Sequence, residues 1–558
     1  MVKVSFTVMF LAGVFADWLR MHGFLKVAVA TDDPRHKGFA PLDDHFEAVY
    51  INHIYRKSSD VVNRPICSVP ASVMRLKDRY TDDNGWTQNG SDGEDNGEVG
   101  FFVAGRINLH GVCSSLVHGS SINDVEGNGN FVDITDIVRR DVKGLILHEL
   151  PEIRNVLEDF LCRFTGTETE VINMGSYNYL GFSHNDGPCA EEAARYIDMY
   201  GLHIGSTRHE RGNHVVHDQI EKCVAHYLGV EAAICFPMGF GTNSMNIPSL
   251  VDKVRLEPFD SLFYFDELNH ASLVLGCRVS GATVKVFKHN DALDCEKKLR
   301  NALCHPSPKT GKPFNKILIV IEGIYSMEGT IVDLPEFIRI KKKYRAYLFL
   351  DEAHSVGALG PTGKGVVEYW GCNARDVDVM MGTLTKSFAA AGGYMGGTKA
   401  VIDHIRRSSA GPCYGASMSP PIVAQVLSSM KVMCGEDGTT IGARKAVQLL
   451  RNSRYFRRRL KQMGFLIYGH EDSPVVPLMT FYITKVVEFS RRTLKYNIGL
   501  VAVGFPATPL TKARVRFCLS ADHTKEQLDY VSFFSLFFLF VSFSVFLLFS
   551  VQVLLIDC

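Results

Sequence analysis

Between residues 171 and 433 the sequence alternates short, almost wholly apolar runs with amphipathic helical patterns. Two such runs are 316–321 (KILIVI) and 347–350 (YLFL), and the stretch 334–344 between them has the apolar spacing of a helix. Strands that are apolar at nearly every position suit a parallel sheet covered on both faces by helices. Because strands and helices alternate, the sequence predicts an α/β fold with a mostly parallel central sheet.

After residue 433 the pattern changes, and a helix at 445–463 followed by a strand at 475–482 predicts a smaller α+β domain. Residues 84–130 are rich in Gly, Asn and Asp and contain few large apolar residues, which predicts a flexible insertion. We expect an N-terminal membrane-proximal segment at 1–62, an N-terminal arm at 63–170 that holds the insertion, a large domain at 171–433, a small C-terminal domain at 434–530 and a hydrophobic tail at 531–558.

Composition narrows the class of protein. The 558 residues are 46% hydrophobic and 22% charged, which excludes a collagen-like chain, a disordered chain and a disulfide scaffold. Sixty Lys and Arg balance sixty Asp and Glu, and no segment has the basic excess of a nucleic-acid-binding protein. The fourteen cysteines form no CxxC pair and have no zinc-ligand spacing, so we expect reduced thiols and no metal site.

Both ends of the chain carry apolar runs. The run Val4–Ala16 is too short to cross a bilayer, and it fits either a signal peptide or the end of a membrane-associated helix. The stretch from Val531 to Leu555 contains no charged residue. This tail could anchor the chain in a membrane, or it could be absent from the natural product, as in the translation of an unspliced stretch. The abrupt break in the preceding helical pattern favours the second interpretation.

Two side chains predict the chemistry. Asp351 follows an apolar strand, at the end where open α/β sheets bind ligands. The letters DEAH at 351–354 also spell a helicase box, but the phosphate loop that a helicase needs is missing, since Gly363-Lys364 is followed by Gly. Lys386 lies in GTLTKSF, where an amine and hydroxyl groups stand close together. A carboxylate and a lysine together suit pyridoxal 5′-phosphate (PLP), whose pyridine nitrogen needs an acid and whose aldehyde needs an amine.

Three further features fit a site for such a cofactor. His270 lies on a strand-to-helix turn and offers a flat ring for stacking. The Gly-rich turn at 236–241 precedes a predicted helix, and its backbone N–H groups can bind a phosphate. Arg514 and Arg516 lie in a late alternating strand and can clamp a substrate carboxylate.

From about residue 63 to residue 529 the chain resembles the α-oxoamine synthase family of fold-type I PLP-dependent enzymes. The motifs that carry the resemblance are NRPICS at 63–68, MGSYNYLG at 174–181, EGIYSMEG at 322–329, LDEAHS at 350–355, GTLTKSF at 382–388 and GFPATP at 504–509. The last motif distinguishes the serine-using branch from glycine-using relatives. The resemblance implies a fold-type I PLP-dependent transferase whose large domain binds PLP, and Lys386 places the chain among the catalytic, lysine-bearing subunits.

The resemblance also implies roles for the cofactor-binding residues. Lys386 would carry PLP and later move protons, His270 would stack on the ring, and Asp351 would pair with the pyridine nitrogen. His354 would hydrogen-bond the ring hydroxyl, with Ser326 as a helper. The residues that would hold the phosphate are Thr383, Thr385, Gly239 and Phe240.

For the substrate, the resemblance implies that Arg516 binds the serine carboxylate, with Arg514 as the lesser choice. Tyr177 and Asn178 would line the amino-acid pocket. The segment Ala416-Ser417 resembles one that crosses a dimer interface.

The implied reaction is the condensation of L-serine with a long-chain acyl-CoA (palmitoyl-CoA), with loss of carbon dioxide, to give 3-ketosphinganine for sphingolipid biosynthesis. A related synthase with another amino acid or acyl-CoA, or a non-catalytic scaffold subunit, are the alternatives. The implied partners are the lysine-less long-chain-base subunit in a heterodimer, or a second copy in a homodimer, and membrane lipids. The implied location is the endoplasmic reticulum membrane, with the catalytic domain facing the cytosol.

The chain departs from the family at Ala389, where Gly is common, and at Arg211, where an apolar residue is usual.

Overall fold

The fold comes from a computed structural model that describes residue 15 and residues 64–80, 163–251, 260–505 and 507–535. The strands are β1 Val73–Tyr80, β2 Arg163–Asn173, β3 Ala232–Phe236, β4 Ser261–Asp266, β5 Thr283–Phe287, β6 Lys316–Glu322, β7 Tyr347–Asp351, β8 Val379–Thr383, β9 Gly393–Gly397, β10 Val475–Phe481, β11 Ile498–Gly499, β12 Val501–Val503 and β13 Ala513–Cys518. The helices are α1 Pro188–Tyr200, α2 Val215–Leu228, α3 Gly239–Ser244, α4 Ala271–Ser280, α5 Ala292–Leu303, α6 Leu334–Tyr344, α7 Val366–Tyr369, α8 Lys399–Ser408, α9 Ala410–Tyr414, α10 Pro420–Cys434, α11 Ile441–Gln462 and α12 Ile483–Lys495. Two 3-10 turns lie at Ile247–Leu250 and Ala374–Asp376, and residues 525–535 are also helical.

The chain divides into two units, one of residues 1–65 and 77–169 and the other of residues 66–76 and 170–558. In the first unit the Asp78 carboxylate accepts hydrogen bonds from the Arg64 guanidinium and from the hydroxyls of Thr167 and Thr169. All the candidate site residues belong to the second unit. The predicted insertion and the N-terminal apolar run lie outside the described residues, apart from Phe15.

A seven-stranded sheet forms the centre of the second unit, in the order β3-β9-β8-β7-β6-β4-β5. The pairs β8-β7, β7-β6, β6-β4 and β4-β5 are parallel, and β9 is antiparallel to both β3 and β8. The α/β prediction with a mostly parallel sheet is therefore confirmed. Strand β8, which ends three residues before Lys386, begins at Val379 after the 3-10 turn Ala374–Asp376.

The apolar runs are explained by helices that cover both faces of this sheet. Successive side chains of a strand point to opposite faces, and on β6 Ile319 and Ile321 join one hydrophobic core while Leu318 and Val320 join another. The amphipathic stretch between β6 and β7 is helix α6, Leu334–Tyr344, with the bounds that the sequence predicts. Cysteines of these cores, such as Cys235, Cys277 and Cys295, are free thiols.

The C-terminal elements form a three-stranded antiparallel sheet in the order β10-β13-β12, with α11 and α12 beside it. The helix at 525–535 adds Leu528 and Val531 to the core of these elements. The boundary predicted at 530/531 thus falls inside a helix, and the tail beyond residue 535 lies outside the described residues. Within the described ranges, the structure contains no helix with the length and apolarity that a bilayer crossing requires.

Candidate active site

The carboxyl ends of three neighbouring parallel strands meet at the site. Asp351 is the last residue of β7, is 3% exposed, and lies opposite Glu322 of β6 in the strand register. Its carboxylate accepts hydrogen bonds from Asn243 Nδ2 at 2.8 Å and from the backbone N–H of Ala353 at 2.9 Å. A buried carboxylate that is oriented in this way is suited to hold a proton on a ligand nitrogen.

Lys386 lies three residues after β8, where the chain has left the sheet. Its Nζ is 3.2 Å from Thr383 Oγ1 and 5.7 Å from the centre of the Tyr177 ring. Burial lowers the pKa of Lys386 to about 8, and the Arg516 cation acts in the same direction while Asp351 and Glu322 oppose it. Since an unprotonated amine is the nucleophile toward an aldehyde, a lowered pKa makes Lys386 reactive near neutral pH.

His270 caps the N-terminus of α4. Its Nδ1 accepts the backbone N–H of Ser272, and its own backbone N–H donates to the Glu322 carboxyl group. The Phe240 ring lies edge-on at 6.0 Å between ring centres. Desolvation lowers the pKa of His270, the Lys386 cation lowers it further, and Asp351 opposes both. The imidazole is therefore a neutral, flat surface beside Asp351.

His354 is buried three residues beyond Asp351. Its Nδ1 is 2.8 Å from the Tyr179 hydroxyl, and the Tyr177 ring contacts it edge-on at 4.9 Å between ring centres. Burial, with the Lys386 and Arg516 cations adding to it, lowers the pKa of His354 well below its usual range. A neutral imidazole can hydrogen-bond a ring hydroxyl without adding charge to the site.

Three of the four predicted phosphate-binding residues, Gly239, Phe240 and Thr383, lie at the start of α3. Among the described residues no side chain caps this helix, so its first backbone N–H groups can donate to a ligand. A Cβ atom at Gly239 would lie 3.0 Å from Thr383 Cγ2, so a larger residue would crowd this approach. Thr383 is buried and donates from Oγ1 to the Ala353 carbonyl at 3.2 Å, whereas Thr385 is exposed.

The structure distinguishes the two arginines of β13. Arg514 Nη1 donates to the Met327 carbonyl at 2.8 Å and to the Glu328 carboxylate at 3.1 Å, so its charge is already paired. Arg516 is 6% exposed, and its neighbours are the Tyr177 ring, 4.6 Å from the guanidinium carbon, and Met327 Sδ at 3.6 Å. Its Nε has no hydrogen-bond partner among the described residues. A buried cation of this kind is suited to bind the carboxylate of a substrate.

Other predicted residues are placed less directly at the site. The Asn178 amide nitrogen donates to Ser183 Oγ at 2.6 Å and to the Pro70 carbonyl at 3.3 Å, so this end of the side chain holds a loop together. Ser326 is buried. Of the two family departures, Arg211 is exposed, and Ala389 has a positive φ of 49°, which explains why Gly is common there.

Sequence reasoning missed three side chains of the site. Asn243 binds Asp351, Tyr179 contacts His354, and Glu322 ends β6 beside Asp351. Burial raises the pKa of Glu322 well above its usual range, and the Asp351 carboxylate raises it further. Glu322 left a signal in the sequence, because it ends an apolar strand in the same way as Asp351, and Tyr179 lies in the motif at 174–181, whereas nothing in the sequence singled out Asn243.

The donor set fits PLP on this geometry. The Lys386 amine, with its lowered pKa, suits the cofactor aldehyde. The buried Asp351 carboxylate, which Asn243 orients, suits the pyridine nitrogen, and the uncapped turn at Gly239 suits the phosphate. The family profile of aminotransferase class I and II matches residues 169–532. Together with the fold and the site, this match defines a fold-type I PLP-dependent enzyme, and PLP is its cofactor.

The comparison with individual proteins narrows the class. A relative named serine palmitoyltransferase 3 from Caenorhabditis elegans is 57% identical over 95% of this chain and 88% of its own length. Serine palmitoyltransferase 3 from Homo sapiens is 43% identical over 93% of this chain and 80% of its own length. A solved structure of Sphingomonas wittichii serine palmitoyltransferase has 26% identity and a TM-score of 0.59, and the match covers 67% of this chain and 87% of that one. The chain belongs to the serine palmitoyltransferase family.

Proposed function

We propose that this chain is the catalytic subunit of a serine palmitoyltransferase, which condenses L-serine with a long-chain acyl-CoA and releases carbon dioxide to form 3-ketosphinganine. The observation that carries the proposal is one site that contains the Lys386 amine, the Asp351 carboxylate and the Arg516 guanidinium, which has no carboxylate partner among the described residues. A scaffold subunit would need neither this lysine nor the buried acid, so the alternative of a non-catalytic subunit is not favoured.

Each of these side chains has a separate task. When bound, PLP supplies the electron sink that stabilises negative charge at the α carbon of the amino acid. Asp351 would hold a proton on the pyridine nitrogen, and Asn243 orients the Asp351 carboxylate by donating a hydrogen bond to it. Lys386 would hold the cofactor through its aldehyde, and its amine would take the α proton of serine, since a pKa of about 8 leaves part of the amine unprotonated near neutral pH. Arg516 binds the serine carboxylate that is later lost.

The direct experiment supplies the purified chain with PLP, L-serine and palmitoyl-CoA, and measures 3-ketosphinganine by mass spectrometry. The expected result is product from serine and none from the Lys386→Ala variant. If glycine replaces serine as the better substrate, the chain is a different synthase of the same fold. If wild type binds PLP but forms no product with or without a partner subunit, the condensation is refuted.

We also propose that the chain works as a dimer, with the lysine-less long-chain-base subunit as its partner. Three apolar side chains on or near the segments of the site support an interface, because they are exposed in the single chain: Met238 and Phe240 at the start of α3, and Tyr414 just before Ala416. Co-expression with that subunit followed by light scattering tests this proposal. A one-to-one complex of the two subunits is expected. A complex of two copies of this chain would contradict the lysine-less partner, and a monomer with full activity would contradict the dimer.

For the location we propose the endoplasmic reticulum membrane, with the catalytic domain on the cytosolic side. The support is chemical, since an acyl-CoA substrate and a long-chain product partition into membranes, and the apolar run Val4–Ala16 suits a membrane surface. Protease treatment of intact microsomes is expected to digest the catalytic domain. Recovery of the chain in the soluble fraction, or its full protection inside the vesicles, would contradict the proposal.

A further inference from the structure

Asn243 is a buried amide that joins two parts of the site. It lies in α3, is 1% exposed, and its Nδ2 is 2.8 Å from Asp351 Oδ2 and 3.0 Å from Ser272 Oγ. Carboxylate oxygens only accept hydrogen bonds, so the amide must turn its NH₂ group, and not its oxygen, toward Asp351. Both hydrogens of Nδ2 are then donated, one to Asp351 and one to Ser272.

The same hydrogen bonds determine where His270 carries its proton. Ser272 Oγ accepts from Asn243, which leaves its own hydrogen free to point at His270 Nδ1, 2.8 Å away. The backbone N–H of Ser272, which can only donate, also points at this Nδ1 from 3.2 Å. Two donors converge on one ring nitrogen, so Nδ1 is unprotonated and the proton lies on Nε2.

We propose that Asn243 is a positioning residue of the reaction, which holds the Asp351 carboxylate in place and, through Ser272, keeps His270 as the neutral tautomer protonated at Nε2. The proposal rests on the proposed function, in which Asp351 and His270 act on the PLP ring. A protonated imidazole would place a second positive charge beside a pyridinium, and the network prevents this.

Other titratable and charged groups face this network. They are Glu322 on β6, Asp266 on β4, Lys386 after β8, His354 after β7 and Arg516 on β13. Burial raises the pKa of Glu322 well above its usual range, and the neighbouring Asp351 carboxyl group raises it further.

The test compares two buried asparagines of the same segment. Asn246 is as buried as Asn243, but its amide bonds the Thr242 carbonyl and the Ser409 hydroxyl and does not touch Asp351. Asn243→Leu is expected to weaken PLP binding by about 10- to 150-fold, the effect of losing one hydrogen bond to a charged group, and to shift the pH midpoint of the visible absorption of bound PLP. Asn246→Leu is expected to lower the melting temperature but leave that midpoint unchanged. Equal midpoints for wild type and Asn243→Leu, or equal shifts in both variants, would overturn the proposal.

Two gentler variants cover the case in which the leucine variant does not fold. Asn243→Asp is isosteric and sets a second carboxyl group against Asp351, so the absorption midpoint is expected to move to higher pH because added negative charge favours protonated forms. Ser272→Ala keeps the backbone donor to His270, and its PLP affinity is expected to change less than that of Asn243→Asp. A wild-type midpoint in Asn243→Asp would refute the role of Asn243.

The tautomer can also be measured without the cofactor. In the PLP-free chain, the ¹⁵N shift of His270 Nδ1, assigned by its loss in His270→Gln, is expected to be that of an unprotonated nitrogen. A protonated Nδ1 would overturn the inference even if serine turnover is normal. An unprotonated Nδ1 in a chain that never forms 3-ketosphinganine would instead refute the proposed function alone.

Discussion

Arg514 and Arg516 are two residues apart on β13, and their substitutions are expected to have opposite consequences. Arg516→Met removes a buried cation that has no carboxylate partner among the described residues, so the folded state loses little and the free energy of unfolding stays equal or rises. Serine, however, loses its charge-assisted hydrogen bonds. At about 1.5–3 kcal/mol for such a bond, the KM for serine is expected to rise about 10- to 150-fold.

Arg514→Met breaks an ion pair with Glu328 whose two side chains are 1% and 14% exposed. Removal of one partner of a buried pair costs about 3–5 kcal/mol. For Arg514→Met we expect a loss of stability at the lower end of this range, because burial raises the pKa of Glu328 and its unpaired carboxyl group can take up a proton. The KM for serine is expected to remain close to the wild-type value.

The assay titrates serine at saturating palmitoyl-CoA, and urea unfolding of the same preparations is followed by circular dichroism. Arg516→Lys is the control for charge, since it keeps the cation but loses the planar fork and is expected to fall between wild type and Arg516→Met. The reasoning is refuted if Arg514→Met raises the KM as much as Arg516→Met. It is also refuted if Arg516→Met destabilises the chain by the amount expected of Arg514→Met.

Three further predictions follow from single residues. Ala389 adopts a φ of 49°, which is strained for a residue with a Cβ atom. Ala389→Gly is therefore expected to raise the free energy of unfolding, measured by urea titration, by about 1 kcal/mol. A loss of stability would show that Ala389 is unstrained. Asp351→Asn is expected to remove most activity while Lys386 still binds PLP, as absorbance would show, and normal turnover would contradict the role of the acid. Burial lowers the pKa of His523 to about 4, and the ring accepts the Ser520 N–H and donates to the Asn173 carbonyl. This imidazole stays neutral in the folded chain but is protonated below about pH 6.5 when the chain is unfolded, so the free energy of unfolding is expected to fall by about 3 kcal/mol from pH 6.5 to pH 4. The loss is expected to be smaller in His523→Gln, and equal pH profiles of the two proteins would contradict the prediction.

Much of the fold follows from local patterns. The apolar runs that became β6 and β7 needed only their own residues to indicate strands buried on both faces, and helix α6 has the bounds that its spacing predicts. The carboxyl end of a parallel strand is where ligands bind, so the placement of Asp351 followed from the strand alone. Lys386 followed from its flanking hydroxyls, one of which, Thr383, contacts its amine.

The rest depends on contacts between distant parts of the chain. Asn243 reaches Asp351 across 108 positions, and nothing near Asn243 in the sequence indicates a carboxylate. The choice between Arg514 and Arg516 is decided by Glu328, which lies 186 residues before Arg514. Such pairings arise only when the sheets have formed, because local spacing carries no information on which side chain arrives from elsewhere.

The central claim is that this site condenses serine with an acyl-CoA and discards the serine carboxylate. Mass spectrometry of the product formed from uniformly ¹³C-labelled L-serine and unlabelled palmitoyl-CoA tests the claim most directly. The account predicts 3-ketosphinganine with two labelled carbons, together with labelled carbon dioxide, and no labelled product from Lys386→Ala. Product that keeps all three serine carbons, or labelled product from Lys386→Ala at the wild-type rate, would contradict it.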